Sequence, residues 1–236
     1  MMEKTAIMMQ PLPKVVDHLM LSGSFIRPNT RTGFELFLMD FQRWLITRNL
    51  NIYVVGGSVR DLYFDRSPKD LDLLVDGDVE RLGNDIARTF GGAIIKLGDK
   101  HSIVRVVIEK HGLSVDLTPL KTTLKENLMA RDFTVNALAL SIGYSTRDNW
   151  QDFVIDFTGG LEDLSQKLIR TISEGSITAD PLRMLRAVRF AKELDFTLER
   201  TTESYIKKHV TCIDLVATER IRDEFLAILS LNGSKD

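Results

Sequence analysis

Between Ile52 and Leu73 the chain passes from a short apolar run, Ile52–Val55, through Gly56-Gly57 to two aspartates, Asp70 and Asp72, set one residue apart among leucines. No other stretch restricts the fold as much. An apolar run of this length ending in glycine reads as a buried strand, and Asp-Leu-Asp-Leu reads as a second one. Side chains alternate faces along a strand, so Asp70 and Asp72 share one face while Leu71 and Leu73 enter a core. Gly56-Gly57 opens backbone dihedrals closed to other residues and lets a ligand approach main-chain N–H groups. A carboxylate pair on one face suits a hard cation such as Mg2+, which binds through one or two carboxylates plus substrate phosphates. In two-metal sites the ions sit roughly 3.5–4 Å apart and clamp the attacking and leaving oxygens of a displacement. With Arg60 beside the turn as a fork matching phosphate, the segment points to a nucleoside triphosphate and two metal ions at a sheet edge. The alternative, acids simply exposed at a solvated strand end, accounts for a bare D-x-D but not for the strand and glycine turn before it.

Two other phosphate motifs are excluded, since no G-x-G-x-x-G and no G-x-x-x-x-G-K-[ST] follows a strand. Charge narrows the class further. With 31 basic against 33 acidic residues the net charge is -2, so only local phosphate contact is expected, not a broad nucleic-acid grip. Cys212 is the single cysteine, which rules out an internal disulfide and a thiolate metal cluster and fits a reducing, cytoplasmic setting. The first residues carry an acid, two prolines and no long apolar run, so neither a signal peptide nor a membrane span is expected there.

Along the chain, residues 1–33 are short apolar patches broken by Pro11, Pro13 and Pro28, and read as an N-terminal extension. Phe34, Phe37, Leu38, Phe41 and Leu45 form a helical stripe. Val79–Phe90 reads as a helix ended by Gly91-Gly92, and Ala93–Leu97, Ser102–Ile108 and Ser114–Leu117 as strands. Leu124–Ala139 has helical spacing, and everything after Gly160 reads as helical. The expected fold is α+β: a small mixed sheet over 34–158, then an all-α region over 159–236, with Gly159-Gly160 as a hinge.

Five segments in order resemble the class II nucleotidyltransferases, the family of tRNA CCA-adding enzymes and bacterial poly(A) polymerases. They are GGSVRD with DLD, ARDFTVNALAL from Ala130, DFTGGLEDL from Asp156, ADPLRMLRAVRFAKEL from Ala179 and ATERIRDEF from Ala217. The resemblance covers roughly residues 50 to 230. It implies a polymerase-β-like head carrying the catalytic acids and a helical neck that reads the base. It departs from the family at Ala130, where an arginine is usual, and at Ala179, where a glutamate is usual.

What the resemblance implies residue by residue is specific. Asp70 and Asp72 would hold two Mg2+, and Asp116 in Val-Asp-Leu would be a third acid. Apolar neighbours make Asp116 costly unless a metal or an arginine compensates it, and a structural salt bridge is the alternative. Gly56, Gly57 and Arg60 would cradle phosphates, with Arg131 and Asp132 on the ribose; a helix-end ion pair is the plainer reading of Arg131-Asp132. Asp180 precedes Pro181, which suits a first helical position, so Asp180 is expected at an N-cap with Arg183 one turn on. A carboxylate accepts and a guanidinium donates, a pattern complementary to the pairing edges of cytosine and adenine and not to those of guanine and uracil. An ordinary cap and a surface arginine are the alternative. Arg186 and Arg189 continue the series and would add phosphate contacts. Glu219, Arg220, Asp223 and Glu224 read most simply as a solvated face, with bracing of the hinge second. The histidines His18, His101, His111 and His209 lack metal-ligand spacing and are read as structural or surface residues.

The resulting expectation is template-independent transfer of C or A from CTP or ATP to an RNA 3′ end, with tRNA as the RNA. A poly(A) polymerase and a partial CC- or A-adding enzyme are the alternatives within the family, and a nucleotide-binding regulatory module without transfer is the alternative outside it. Members of the family are usually longer, so a head-and-neck fragment is expected. A native mass of 27 kDa, close to the 26.8 kDa of this chain, would contradict that.

Overall fold

The computed structural model describes residues 33–141 and 153–231, apart from 47, 49, 65, 67, 69 and 98–102. The N-terminal extension, His18 and His101 therefore lie outside the described residues.

The first helix, α1 (Gly33–Ile46), buries Phe37, Phe41 and Leu45 on one face, as a 3.6-residue period requires. Phe37 and Phe41 stack on each other and meet Phe90 edge-on. The expected strands follow as β1 (Asn51–Val55) and β2 (Asp70–Asp76), joined by a short helix α2 (Gly57–Tyr63). Helix α3 (Val79–Phe90) is the expected one: Asp78 caps it by accepting from the N–H groups of Glu80 and Arg81, and Gly91 ends it at φ 75. Strands β3 (Ala93–Leu97), β4 (Ile103–Ile108) and β5 (Leu113–Pro119) come next.

Leu124–Ala139 departs from the expected helix. Only α4 (Leu124–Met129) is α-helical, closed at its start by a reciprocal Thr123–Glu126 capping box. A 3-10 turn at Thr134–Asn136 and strand β6 (Leu138–Ser141) follow. Every residue from Asp132 to Leu140 is buried, and an all-buried run has no polar face to reveal its period. Strand β7 (Val154–Asp156) completes a seven-stranded sheet in the order β3-β4-β5-β2-β1-β6-β7, in which only β2 and β5 run parallel.

The C-terminal part is mostly helical: α5 (Gly160–Gln166), α6 (Glu174–Ala179), α7 (Arg183–Leu194), α8 (Arg200–His209), a 3-10 stretch at Val210–Leu215 that holds Cys212, and α9 (Thr218–Ser230). It is not wholly so. β8 (Leu168–Ile169) pairs in parallel with β9 (Thr197–Leu198), strands too short to show a period in sequence. One apolar core runs from the sheet into this part, joining Val54, Leu71 and Val115 to Ala187, Phe190 and Leu194.

The glycine pair divides its work. Gly159 takes φ 79, while Gly160 is pressed against the chain, where an added Cβ would lie 2.2 Å from the Thr134 carbonyl oxygen. Gly160 is thus a close-packing point between the two parts of the molecule, at the place where the sequence reading expects a hinge.

Candidate active site

The site begins with register. In the parallel β2–β5 pair Asp72 stands opposite Asp116, and Asp70 opposite Ser114. Asp70 is exposed and Asp72 half-buried, while Leu71 and Leu73 are fully buried, so the acids share the open face of the sheet. Ser58, at the start of α2, fixes this strand. Its hydroxyl donates to the Asp70 carbonyl (3.0 Å) and accepts from the Asp72 N–H (3.1 Å).

Asp72 is under-neutralised. Burial pushes the Asp72 carboxyl above the usual carboxylate range, with Asp116 and Asp70 adding to the push and Arg131 and Arg105 opposing it. Asp116 has a partner: Arg105, opposite it on β4, donates from Nε to Oδ1 (2.7 Å) and from Nη2 to Oδ2 (2.6 Å). Arg105 thus supplies one of the two compensations expected for Asp116. The donor set fits a hard divalent cation: two carboxylates on one face, one of them held short of charge compensation by its surroundings.

Gly56 lies against this face at φ 71, where an added Cβ would sit 2.7 Å from Arg131 Nη1 and 3.8 Å from Asp72 Oδ2. Its lack of a side chain lets Arg131 and Asp72 close over the turn. Gly57 opens α2. Arg60 is directed elsewhere: it is 7% exposed, its Nη1 donates to Asn136 Oδ1 (2.6 Å), and its guanidinium lies 5.4 Å from the Phe190 ring. These contacts tie α2 to the Thr134–Asn136 turn and to α7; the expectation for Arg60 was a phosphate contact.

Arg131 and Asp132 face a second cluster. Arg131 Nη1 donates to the Asn136 carbonyl (3.2 Å), and burial lowers the guanidinium's pKa. Asp132 is filled: Oδ1 accepts from the Phe133 N–H (2.8 Å) and Asn136 Nδ2 (3.1 Å), and Oδ2 accepts from Arg186 Nη2 (2.7 Å) and Nε (3.1 Å). Burial alone would raise its pKa, but Arg186 and the other donors outweigh it and hold the carboxyl below the usual range. Arg186 and Arg189 are likewise engaged. Arg189 pairs with Glu193 and with Glu224 of α9, and both guanidinium groups lie within 5.2 Å of the Phe190 ring.

Asp180 is not an N-cap. It closes α6, and Asp180-Pro181-Leu182 turns before α7 starts at Arg183, whose N–H donates to the Asp180 carbonyl (3.0 Å). Its side chain is therefore free for other work. Oδ2 accepts from Arg220 Nη2 of α9 (2.9 Å), while Oδ1 is buried with no donor, a rare state for such an atom. Arg183 donates to the carbonyls of Ala130 and Arg131 (3.0 Å each) and to Ser176 Oγ. Of the Glu219–Glu224 run, Glu219, Arg220 and Asp223 are exposed, as the solvated-face reading has it, while Arg220 and Glu224 also tie α9 to Asp180 and to Arg189 of α7. Ser58 and Arg105 are residues of this site that the sequence reading did not single out. His111 packs beside the Phe37 ring and His209 pairs with Glu174, both structural.

A mixed sheet with paired acids on its open face, a left-handed glycine beside them and a helical part sharing the core of the sheet is the arrangement of a nucleotidyltransferase head. The comparisons agree. Residues 52–170 match the family described as the Poly A polymerase head domain, and residues 195–235 match the one described as a probable RNA and SrmB-binding site of polymerase A. Geobacter sulfurreducens CC-adding tRNA nucleotidyltransferase is 41% identical over 180 residues, 76% of this chain and 40% of the relative. Aquifex aeolicus A-adding tRNA nucleotidyltransferase is 35% identical over 209 residues, 77% of this chain and 24% of the relative. The solved Thermotoga maritima CCA-adding enzyme complexed with tRNA superposes with a TM-score of 0.74 at 31% identity, over 91% of this chain and 50% of that one. The chain belongs to the Poly A polymerase head-domain family, within the class II tRNA nucleotidyltransferases. Enzymes of this family generally use divalent metal ions. The chain spans half or less of the length of these relatives. Among the described residues no helix is long and apolar enough to cross a membrane.

Proposed function

We propose that this chain is the head (34–158) and base-reading neck (159–236) of a cytoplasmic, template-independent nucleotidyltransferase that adds C, A or both from CTP and ATP to the 3′ end of tRNA. The observation that carries the reading is the open-face pair Asp70 and Asp72, with Asp72 electrostatically short of a cation.

Asp70 and Asp72 would be the residues that hold Mg2+, two ions in this reading; such ions would supply charge to ease deprotonation of the RNA 3′ hydroxyl and to offset the triphosphate. Transfer of this kind depends mainly on positioning and electrostatics. The 3′ hydroxyl attacks the α-phosphate and pyrophosphate leaves. Gly56 and Gly57 keep the turn open to phosphate oxygens, and Arg131, half-buried between Asp72 and Asn136, reaches phosphate or ribose. Asp116 stands beside Asp72 with its carboxylate held in place, and its charge partly offset, by Arg105. Asp132, Arg186, Arg189 and Arg60 act as positioning residues that lock α7 to the head.

Asp180 Oδ1 is an acceptor in need of a donor, and the exocyclic amino groups of cytosine and adenine are donors. Guanine and uracil offer a carbonyl at that place. An unpaired buried polar group costs about 1–3 kcal/mol, which corresponds to roughly one to two decades of rejection from this contact alone. Arg183 supplies the donor half by exchanging a carbonyl partner for the base.

Partial CC- or A-addition is the second reading, favoured by the relatives of those two kinds. The test is incubation with Mg2+ and tRNA transcripts ending before CCA, after C and after CC, giving CTP, ATP or both. Growth that stops at CCA supports the full reaction, and growth stopping at CC or needing a CC end supports the partial one. A long A ladder would indicate a poly(A) polymerase. Nucleotide binding without growth, indifferent to Asp72→Ala, would establish a regulatory module instead.

A further inference from the structure

Strand register lines up three side chains across the open face of the sheet. Arg105 on β4 stands opposite Asp116 on β5, and Asp116 stands opposite Asp72 on β2. The guanidinium closes on both oxygens of Asp116 in a two-point grip, 2.7 and 2.6 Å, that fixes the plane of the carboxylate as well as its charge. The pair is partly shielded, with the Asp116 side chain 16% exposed and the Arg105 side chain 35%. No such partner reaches Asp70 or Asp72 among the described residues. Arg131, the other nearby cation, donates to the Asn136 carbonyl.

We propose that Arg105 is a positioning residue of the acidic face, a built-in counter-ion that occupies Asp116 and so reserves the cation site for Asp70 and Asp72. The consequence is a face with three acids but only two free ones. Arg105 tempers the attraction for a divalent cation and keeps Asp116 aligned beside Asp72, where its charge acts at a distance. Removing the guanidinium turns Asp116 into a third uncompensated carboxylate, so the site binds a divalent cation more tightly while losing the alignment that transfer needs. For its effect on transfer the inference rests on the reading proposed above; for its effect on cation affinity it does not.

The two are separated by calorimetric titration of the protein with Mn2+, alongside nucleotide incorporation. Arg105→Gln is expected to tighten Mn2+ binding roughly tenfold, since a unit charge beside an ionised site is worth about one to three decades, and to slow incorporation. A merely structural arginine would weaken or leave unchanged the cation's binding when removed. In an Asp116→Asn background Arg105→Gln is expected to shift Mn2+ affinity much less, because the carboxylate it frees is gone. Arg105→Lys keeps the charge but not the two-point grip, so affinity stays near wild type while incorporation falls; this variant serves where Arg105→Gln folds poorly. Unchanged Mn2+ affinity in folded Arg105→Gln, an equal shift in the Asp116→Asn background, or full incorporation by Arg105→Lys overturns the proposal. Mn2+ binding that Asp72→Asn does not reduce would overturn the cation site itself, and the proposal with it.

Discussion

The two acidic centres of this molecule are built on opposite principles. On the sheet face Asp72 is crowded by burial and by Asp116 and Asp70, and its carboxyl is pushed up. At the junction with the neck Asp132 is more deeply enclosed, yet Arg186, Asn136 and the Phe133 N–H hold its carboxyl down. Burial is common to both, so the partners decide. A saturated carboxylate is a structural tie that stabilises the fold as it stands. An unsaturated one costs stability until a ligand supplies the missing charge, which is how functional sites typically differ from the frame around them.

The contrast can be broken in several places. The largest effect is expected from Asp72→Ala, which should lower nucleotide incorporation by roughly a thousandfold or more while leaving the fold intact, because metal-held charge stabilisation is worth several kcal/mol; single-nucleotide gel resolution of the products measures it. Next is Gly160→Ala. A methyl 2.2 Å from the Thr134 carbonyl must push the head and neck apart, at a cost of about 3 kcal/mol in thermal or denaturant unfolding. Third, Asp132→Asn should cost about 1–3 kcal/mol by weakening the tie to Arg186. The sign with pH follows from its depressed folded pKa: the contribution is present at neutral pH and lost as pH falls below about 4. The variant should therefore lose its disadvantage in acid.

Smallest and opposite in direction, Asp72→Asn should raise the stability of the metal-free protein at pH 7 by about 1 kcal/mol. The folded pKa of Asp72 is raised, so the penalty it removes develops as pH rises above the unfolded value of about 4 and is absent in acid. If both variants shifted stability in the same direction at pH 7, the contrast between the two centres would fail.

Local patterns in the sequence revealed much of this, and tertiary pairings concealed the rest. Helix α3 was legible because Gly91-Gly92 ends a run of helical spacing, and β2 because Leu71 and Leu73 alternate with the acids. The stretch from Asp132 to Leu140 was not, since burial on all sides erases the period. Asp180 misled because a proline after an acid marks a helix start in the common case. Here it serves a turn that leaves the carboxylate to Arg220. Asp70 and Asp72 could be read from their spacing together with the strand and glycine turn before them, and Asp116 from the family resemblance. Arg105 could not, because its meaning depends on β4 lying beside β5 in one particular register. Nor could the engagement of Arg60 and Arg186, whose partners lie 76 and 54 residues away.

The most direct test of the claim that the acidic face is built for a cation is the thermal midpoint of the wild type and of Asp72→Asn at pH 7, with and without Mn2+. The account predicts that the wild type gains stability when Mn2+ is added, as binding to the native state requires, and that Asp72→Asn starts higher without metal and gains little from it. A wild type indifferent to Mn2+, or an Asp72→Asn protein that starts lower and gains as much as the wild type, would contradict it.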